Sequence, residues 1–360
     1  MKFGLVHIFE APEFLSEHAA INDQIDLMVL AEELGYDSVW AGEHHFSRYG
    51  VCPNPLVALA AVAARTSSIR LGTAVSVVPL HHPVRLAEEI ALLDQISDGR
   101  VEAGVGRGYQ PAEFQGLDVS QDDSRNLLFE CVEILKKLWT ETECSHEGLA
   151  HSFRDLTSHP RPRQDPHPPL WMASLSEDSF AICGRLGLNL LCAPAFGFDI
   201  VAGAASVGDY RAALREHGRD TDHHEVGALT ITYVGESMEQ ARADLEPAVM
   251  RYYQALAQSL PAPQTDDESK HQGRETARSF LEGLDWDTAV DLGAVICGDP
   301  DHVAERVDEL RALCGITSYL AWMRIGGLSG DRVGKSMRLF AEHVIPQVNA
   351  GRGATRSLLD

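Results

Sequence analysis

The order of apolar segments along the chain is the feature that most constrains its fold. Short runs rich in β-branched residues, such as "FGLVHIF", "DSVWAG", "RLGTAVSVV" and "RVEAGVG", alternate with longer stretches in which apolar residues recur with helical spacing. Strand and helix alternate from the first residue onward, which predicts a parallel sheet joined by right-handed crossovers. About eight such units fit the chain, and this number favours a closed (β/α)8 TIM barrel over an open sheet.

The length of the chain is compatible with one barrel domain. The 360 residues are 44% hydrophobic, enough for one large core, so we expect residues 1–360 to form a single domain. Two segments interrupt the alternation. Residues 141–168 are rich in His, Pro and Arg and predict an excursion before the fifth strand. Residues 260–285 are polar, with few apolar anchors, which is typical of a loop or lid.

The first long helical stretch is "NDQIDLMVLAEELG". It predicts a helix that begins near Asn22 and ends at Gly35. The spacing predicts a buried face formed by Ile25, Met28, Val29 and Leu30. The stretches "NPLVALAAVAARTS" and "PVRLAEEIALLDQIS" predict two more helices, each with proline near its first turn.

Charge and cysteine content restrict the partners and the compartment. The formal net charge is -23, and such an acidic surface repels nucleic-acid phosphates and anionic membranes, so neither is an expected partner. The sequence has no run of about eighteen apolar residues, so we expect no membrane-spanning helix. The seven cysteines form no C-x-x-C pair and the first residues lack a signal-peptide core, so we expect reduced thiols and a cytoplasmic protein.

Three titratable groups, Glu43, His44 and His45, lie where the second predicted strand ends. In a barrel of this kind, chemistry lies at the C-terminal ends of the strands. One interpretation is solvated loop histidines. A metal site is a second, but adjacent strand residues point to opposite faces and no other ligand motif accompanies the pair. A general acid or base is the third, because histidine titrates near neutral pH.

Two other strand ends suggest an anion site. "GVGRGYQ" is not a dinucleotide fingerprint, because Tyr109 occupies the position of the third glycine, but it leaves a glycine-lined loop with one cation, Arg107. Ser176 and Ser179 lie at a predicted helix start, where free amides bind anions. Taken singly, a surface arginine and a simple N-cap explain these residues. Taken together, they favour a phosphate.

The third strand ends in "GTAVSVV", a run of small and β-branched residues from Gly72 to Val78. This run offers either an apolar wall or ordinary barrel core. A base, a flat small-residue platform and a phosphate site at neighbouring strand ends suit a planar aromatic cofactor with a phosphate tail.

Several motifs in order carry a resemblance to a known family. They are "MKFG", "DSVWAGEHHF", "LGTAVSVVPLHHPVRLAEEIALLDQISDGR", "GVGRG", "DDSRNL", "ASLSEDS" and "GDPDHVAERVDELRALCGIT". Together they resemble the bacterial luciferase-like flavin-dependent monooxygenases, and most closely the α chain of luciferase. The resemblance covers most of the chain and is densest in the first 140 residues.

The resemblance implies a TIM barrel that usually forms a homodimer through helices near the second and third strands. It also implies a two-component monooxygenase. In such a system an NAD(P)H-dependent flavin reductase supplies reduced FMN. The reduced flavin reacts with O2 to form a flavin hydroperoxide, which oxidises a small organic substrate.

The resemblance also implies roles for individual residues. His44 is implied as the catalytic histidine, and Glu43 is implied to lie beside the isoalloxazine. Ala74 and Val75 are implied as the wall under the ring, where the family often has a cis peptide. The implied contacts to the phosphate and ribityl tail are Arg107, Arg125, Ser176 and Ser179. The polar segment at residues 260–285 matches the family's lid.

Three positions depart from the luciferase α pattern. Gly106, which the resemblance places next to the flavin, replaces a reactive cysteine, and Leu175 replaces a glutamate. Gln110 replaces a tyrosine, and in this chain a tyrosine occupies the preceding position, 109. Light emission and a long-chain aldehyde substrate are therefore not implied. Two alternatives remain open: a deazaflavin-dependent enzyme that transfers hydride, and a flavin-binding barrel without catalytic activity.

Overall fold

The computed structural model describes residues 1–194, 200–259 and 278–351. The strands in these residues are β1 Lys2–His7, β2 Ser38–Ala41, β3 Arg70–Thr73, β4 Ser76–Val77, β5 Val101–Gly106, β6 Cys144–Glu147, β7 Ser152–Leu156, β8 Leu170–Ser174, β9 Asn189–Cys192, β10 Val226–Val234, β11 Val295–Gly298 and β12 Ser318–Trp322.

Helices connect most of these strands. They are α1 Glu17–Glu33, α2 Pro55–Ala63, α3 Pro83–Ile96, α4 Pro111–Gly116, α5 Ser124–Thr140, α6 Glu177–Leu186, α7 Ile200–Glu216, α8 Met238–Ser259, α9 Trp286–Asp291, α10 Pro300–Cys314, α11 Gly330–Leu339 and α12 Ile345–Asn349. Short 3-10 turns cover Val78–Leu80 and Thr221–His223, and a π turn covers Phe340–Val344. Among the described helices, none has both the length and the apolar character that a bilayer span requires.

Eight parallel strands close into a TIM barrel, which confirms the predicted fold. The ring runs β1, β2, β3, β5, β8, β9, β10 and β12, and it closes because β12 pairs with β1. The closing register sets Lys2 opposite Ser318. β4 pairs with β5, and β11 pairs with the second half of β10, so both lie outside the ring of eight.

Three tryptophans fill the barrel interior, and one glycine leaves room for two strands to approach closely. Trp40, Trp171 and Trp322 are almost fully buried, and the rings of Trp40 and Trp171 meet edge to face at 5.3 Å. Gly104 in β5 has to lack a side chain, because a Cβ there would overlap the Thr73 carbonyl oxygen. The hydroxyl of Thr73 also donates to the Gly104 carbonyl at 2.6 Å. The backbone at the end of β3 can therefore lie close to the backbone of β5.

The start predicted for the first helix was wrong. α1 begins at Glu17, and the Ser16 hydroxyl caps it by accepting from the Ala19 N–H at 3.1 Å. Of the predicted buried face, Met28 is fully buried, and Ile25, Val29 and Leu30 are partly buried and pack against the core. The fully buried residues are Ala20, Gln24, Leu27, Met28 and Ala31. Gln24 is buried because its Oε1 accepts the Phe9 N–H at 3.0 Å.

The two predicted interruptions differ in outcome. The excursion at residues 141–168 contains the antiparallel hairpin of β6 and β7, followed by two cis prolines, Pro160 and Pro166. The predicted lid at 260–285 lies outside the described residues as far as residue 277, and residues 278–283 are helical. All seven cysteines are buried.

Candidate functional site

One cleft at the C-terminal ends of the strands brings together every residue predicted for the site. The cavity volume of the cleft is about 220 Å³. The predicted residues among its lining are Glu43, His44, Ala74, Val75, Gly106, Arg107, Arg125, Ser176 and Ser179. They arise from the ends of β2, β3, β5 and β8 and from the first turns of α5 and α6. The role of each residue remains a prediction.

His44 forms a buried pair with Glu113. Its Nδ1 lies 2.9 Å from Glu113 Oε1, and the same oxygen accepts the His45 N–H at 3.0 Å. His44 is 7% exposed and Glu113 2%, which excludes a solvated loop histidine. Because a carboxylate accepts, the imidazole proton lies on Nδ1, and Nε2 has no hydrogen-bond partner among the described residues. This arrangement is suited to a proton acceptor.

Three tyrosines support this pair. The ring of Tyr49 meets His44 edge to face at 4.6 Å. Its hydroxyl lies 2.9 Å from that of Tyr109, which lines the cleft, and 2.8 Å from that of Tyr252 on α8. Burial raises the pKa of Tyr49 and Tyr252 well above the usual value, so both hydroxyls are neutral. A chain of hydroxyls therefore connects α8 to the cleft.

Glu43 is a structural anchor within the cleft wall. Its carboxylate contacts the Nε2 atoms of His45 at 3.0 Å and His81 at 2.9 Å, and it accepts the Val77 N–H at 3.0 Å. Burial raises the pKa of the Glu43 carboxyl, but the hydrogen bonds with both imidazoles outweigh it, and the pKa is lowered. Burial lowers the pKa of His81, but the hydrogen bond with the Glu43 carboxylate outweighs burial, and the pKa of His81 is raised. Both carboxylate oxygens are thus occupied in holding the segment after β3.

The flat part of the wall lies beside this anchor. The peptide bond between Ala74 and Val75 is cis. A Cβ at Gly106 would overlap the Val75 side chain, so glycine at 106 and valine at 75 fit together. Apolar side chains from the barrel interior continue the wall: Val6, Ile8, Met172, Leu191, Leu229 and Leu320.

The predicted phosphate end contains an unexpected carboxylate. Arg125 Nη1 lies 2.7 Å from Asp178 Oδ2, and the Ser176 hydroxyl donates to Asp178 Oδ1 at 2.7 Å. Ser176 is the N-cap of α6, but its side chain makes no capping hydrogen bond, so the simple N-cap interpretation was wrong. The Ser176 hydrogen bond and the guanidinium groups of Arg125 and Arg107 lower the pKa of Asp178.

Sequence reasoning missed Glu113, Tyr49, Tyr252, His81 and Asp178. Glu113 lies in α4, far along the chain from His44, and no local spacing links them. Asp178 had a signal, since it lies between the two predicted serines at a helix start.

A second buried cluster lies where β1 ends. Glu10 is 5% exposed, its Oε2 accepts the Gly326 N–H at 2.5 Å, and Arg324 donates to Asp23 at 2.8 Å beside it. Burial raises the pKa of Glu10 to about 8, and burial lowers the pKa of His7 to about 3. Both side chains are therefore uncharged near pH 7.

Glu10→Gln is expected to change how stability depends on pH. An unfolded Glu10 ionises near 4.5, whereas the folded one ionises near 8, so ionisation of the unfolded state lowers wild-type stability between these values. We expect the unfolding free energy of the variant, relative to wild type, to increase by at most about 5 kcal/mol as pH rises through that window. Urea unfolding at several pH values measures it.

Between pH 6.5 and 8, the stability change due to Glu10 is separated from the change due to His7. Stability linked to His7 rises between about pH 3 and 6.5 and is complete above that, because its folded pKa lies below the unfolded one. Glu13→Gln is the control, since Glu13 is exposed. A Glu10→Gln difference that stays constant from pH 6.5 to 8 contradicts the prediction.

Comparison with known proteins adds to this geometry. A family model described as luciferase-like monooxygenase matches residues 1–317. The oxygenase component of the flavin-dependent trigonelline monooxygenase of Acinetobacter baylyi is 28% identical, over 96% of this chain and 95% of that protein.

Two solved structures are similar over nearly the whole chain. Monooxygenase RslO1 from Streptomyces bottropensis has a TM-score of 0.85 and 30% identity, covering 96% of this chain and 99% of that one. The oxygenating constituent of 3,6-diketocamphane monooxygenase of Pseudomonas putida, in complex with FMN, has a TM-score of 0.81 and 20% identity, covering 97% and 99%. The second likeness shows the fold alone.

Proposed function

The chain belongs to the luciferase-like monooxygenase family, a family of oxidoreductases, and on that premise we propose that it is the oxygenase of a two-component system. It would use reduced FMN, supplied by a separate NAD(P)H-dependent reductase, and O2 to oxidise a small organic substrate. The observation that carries the proposal is one cleft lined by His44, Arg107, Arg125 and Ser176. The naming of a relative as the oxygenase component of a flavin-dependent monooxygenase supports it.

The residues of the cleft fit FMN. Apolar side chains and the flat segment at Ala74 and Val75 suit an aromatic ring system, and Gly106 leaves the approach to that segment open. Arg107 and Arg125 suit the charge and geometry of a phosphate. When bound, reduced FMN supplies the reaction with O2 and the transfer of one oxygen atom to the substrate.

The chain itself supplies proton handling at His44. Nε2 accepts a proton from a reacting group in the cleft, and the Glu113 carboxylate stabilises the resulting imidazolium through Nδ1. Tyr49 and the backbone at His45 fix the orientation of both partners. The apolar walls exclude water from the reacting groups, which strengthens these electrostatic interactions.

A homodimer is part of the proposal. Three large apolar side chains are exposed on the helices that follow β2 and β3: Val57 on α2, and Leu92 and Ile96 on α3. Burial of these residues between two copies would remove their apolar surface from water, which favours association. Light scattering of the purified protein distinguishes a homodimer from a monomer.

The proposal is tested by flavin binding and by oxygen uptake. We expect FMN to bind with micromolar or lower Kd and more tightly than riboflavin, as measured by quenching of flavin fluorescence. With photoreduced FMN, O2 and a panel of aldehydes, ketones, sulfonates and aromatic compounds, at least one compound should yield an oxygenated product.

Two outcomes contradict the proposal. Absence of FMN binding overturns the assignment of the cleft. Hydride transfer to an oxidised deazaflavin, or from a reduced deazaflavin to a substrate, without O2-dependent product from FMN, supports the deazaflavin alternative.

A further inference from the structure

A carboxylate contacts the residues that line the predicted phosphate end of the cleft. Asp178 lies at the second position of α6 and contacts two groups proposed for the phosphate, Arg125 and Ser176, each at 2.7 Å. Arg107 is also close enough for its charge to act on Asp178. The carboxylate thus satisfies the same donors that a phosphate would use.

We infer that Asp178 competes with the flavin phosphate for Arg125 and Ser176 and thereby limits how strongly the site prefers FMN over riboflavin. The inference rests on the proposed function. A guanidinium can engage either anion, and the carboxylate and a phosphate dianion repel each other when both are present. Asp178 is therefore a residue that sets cofactor affinity and specificity.

The exposure of the pair bounds the size of the effect. The side chains of Arg125 and Asp178 are 44% and 51% exposed, so water and salt screen the competition. A moderate effect on affinity follows, about tenfold at low salt and less at high salt. A moderate FMN affinity suits an oxygenase that receives its flavin from a separate reductase and returns it.

Asp178→Asn tests the inference, with Glu177→Gln as matched control. Both changes remove one negative charge from the first turn of α6, but only Asp178 is in the ion pair with Arg125. Dissociation constants for oxidised FMN and riboflavin are measured by fluorescence quenching at low and high salt. Thermal melting checks that each variant is folded.

The expected result is a tenfold tighter FMN complex for Asp178→Asn, with the riboflavin Kd unchanged. Glu177→Gln should change both constants less than threefold. An unchanged or smaller FMN preference in Asp178→Asn overturns the inference and makes Asp178 a support for Arg125. Wild-type protein that binds no FMN overturns the proposed function instead, so the two failures are distinguishable.

Discussion

Replacing His44 with alanine is expected to lower the rate of substrate oxygenation about 10² to 10⁴ fold while FMN still binds. The substitution removes the Nε2 acceptor in the cleft and leaves the Glu113 carboxylate without its Nδ1 donor. The proposed phosphate contacts, Arg107 and Arg125, remain. Product formation is measured with saturating photoreduced FMN, and oxygen uptake is recorded in parallel.

The control for this variant is His343→Ala, which removes an exposed histidine outside the cleft lining. It should retain wild-type rates. A His44→Ala enzyme that forms product at a rate within threefold of wild type, with an unchanged thermal midpoint, would show that His44 has no catalytic role.

Arg100→Met is expected to cost at least about 3 kcal/mol of unfolding free energy, without changing the Kd for FMN. The buried guanidinium donates to the carbonyl oxygens of Ser97 at 2.7 Å, Ile69 at 2.9 Å, and Ala63 and Thr66 at 3.1 Å. Methionine fills similar volume but leaves these acceptors without their donor. The site lies just before β5, at the end of the barrel opposite the cleft, where residues contribute to stability rather than to catalysis.

Arg85→Met is the matched control, because Arg85 on α3 is 79% exposed and makes one surface ion pair. We expect it to change stability by less than about 0.5 kcal/mol. Urea unfolding of both variants at one pH gives the comparison. A cost below about 1 kcal/mol for Arg100→Met would mean that water replaces the guanidinium at these carbonyl groups.

Much of the architecture follows from local pattern. Alternating strands and helices fix a parallel sheet, and parallel strands bring their C-terminal ends to one rim. For this reason His44, Arg107 and Ser176 share a cleft although they lie far apart in sequence. Helices with a proline in the first turn, such as α2 and α3, also have clear boundaries in the sequence.

Other features depend on contacts that no local pattern encodes. Glu113 on α4 meets His44 although 69 residues separate them, and Tyr252 on α8 reaches Tyr49 across 203 residues. The face of α1 was predicted only in part, because its fully buried residues include the small Ala20 and the polar Gln24, which hydrophobic spacing does not single out. Side-chain partners across elements are set by tertiary packing, which hydrophobic periodicity does not describe.

The close crossing at Gly104 matters for anyone who reshapes this cleft by directed evolution. Any side chain at 104 would push the Thr73 carbonyl outward, and Ala74 and Val75 follow it directly in the chain. Randomising position 104 would therefore displace the platform itself instead of altering selectivity. Leu175 and Leu229, which line the cleft, are the better positions for a mutant library.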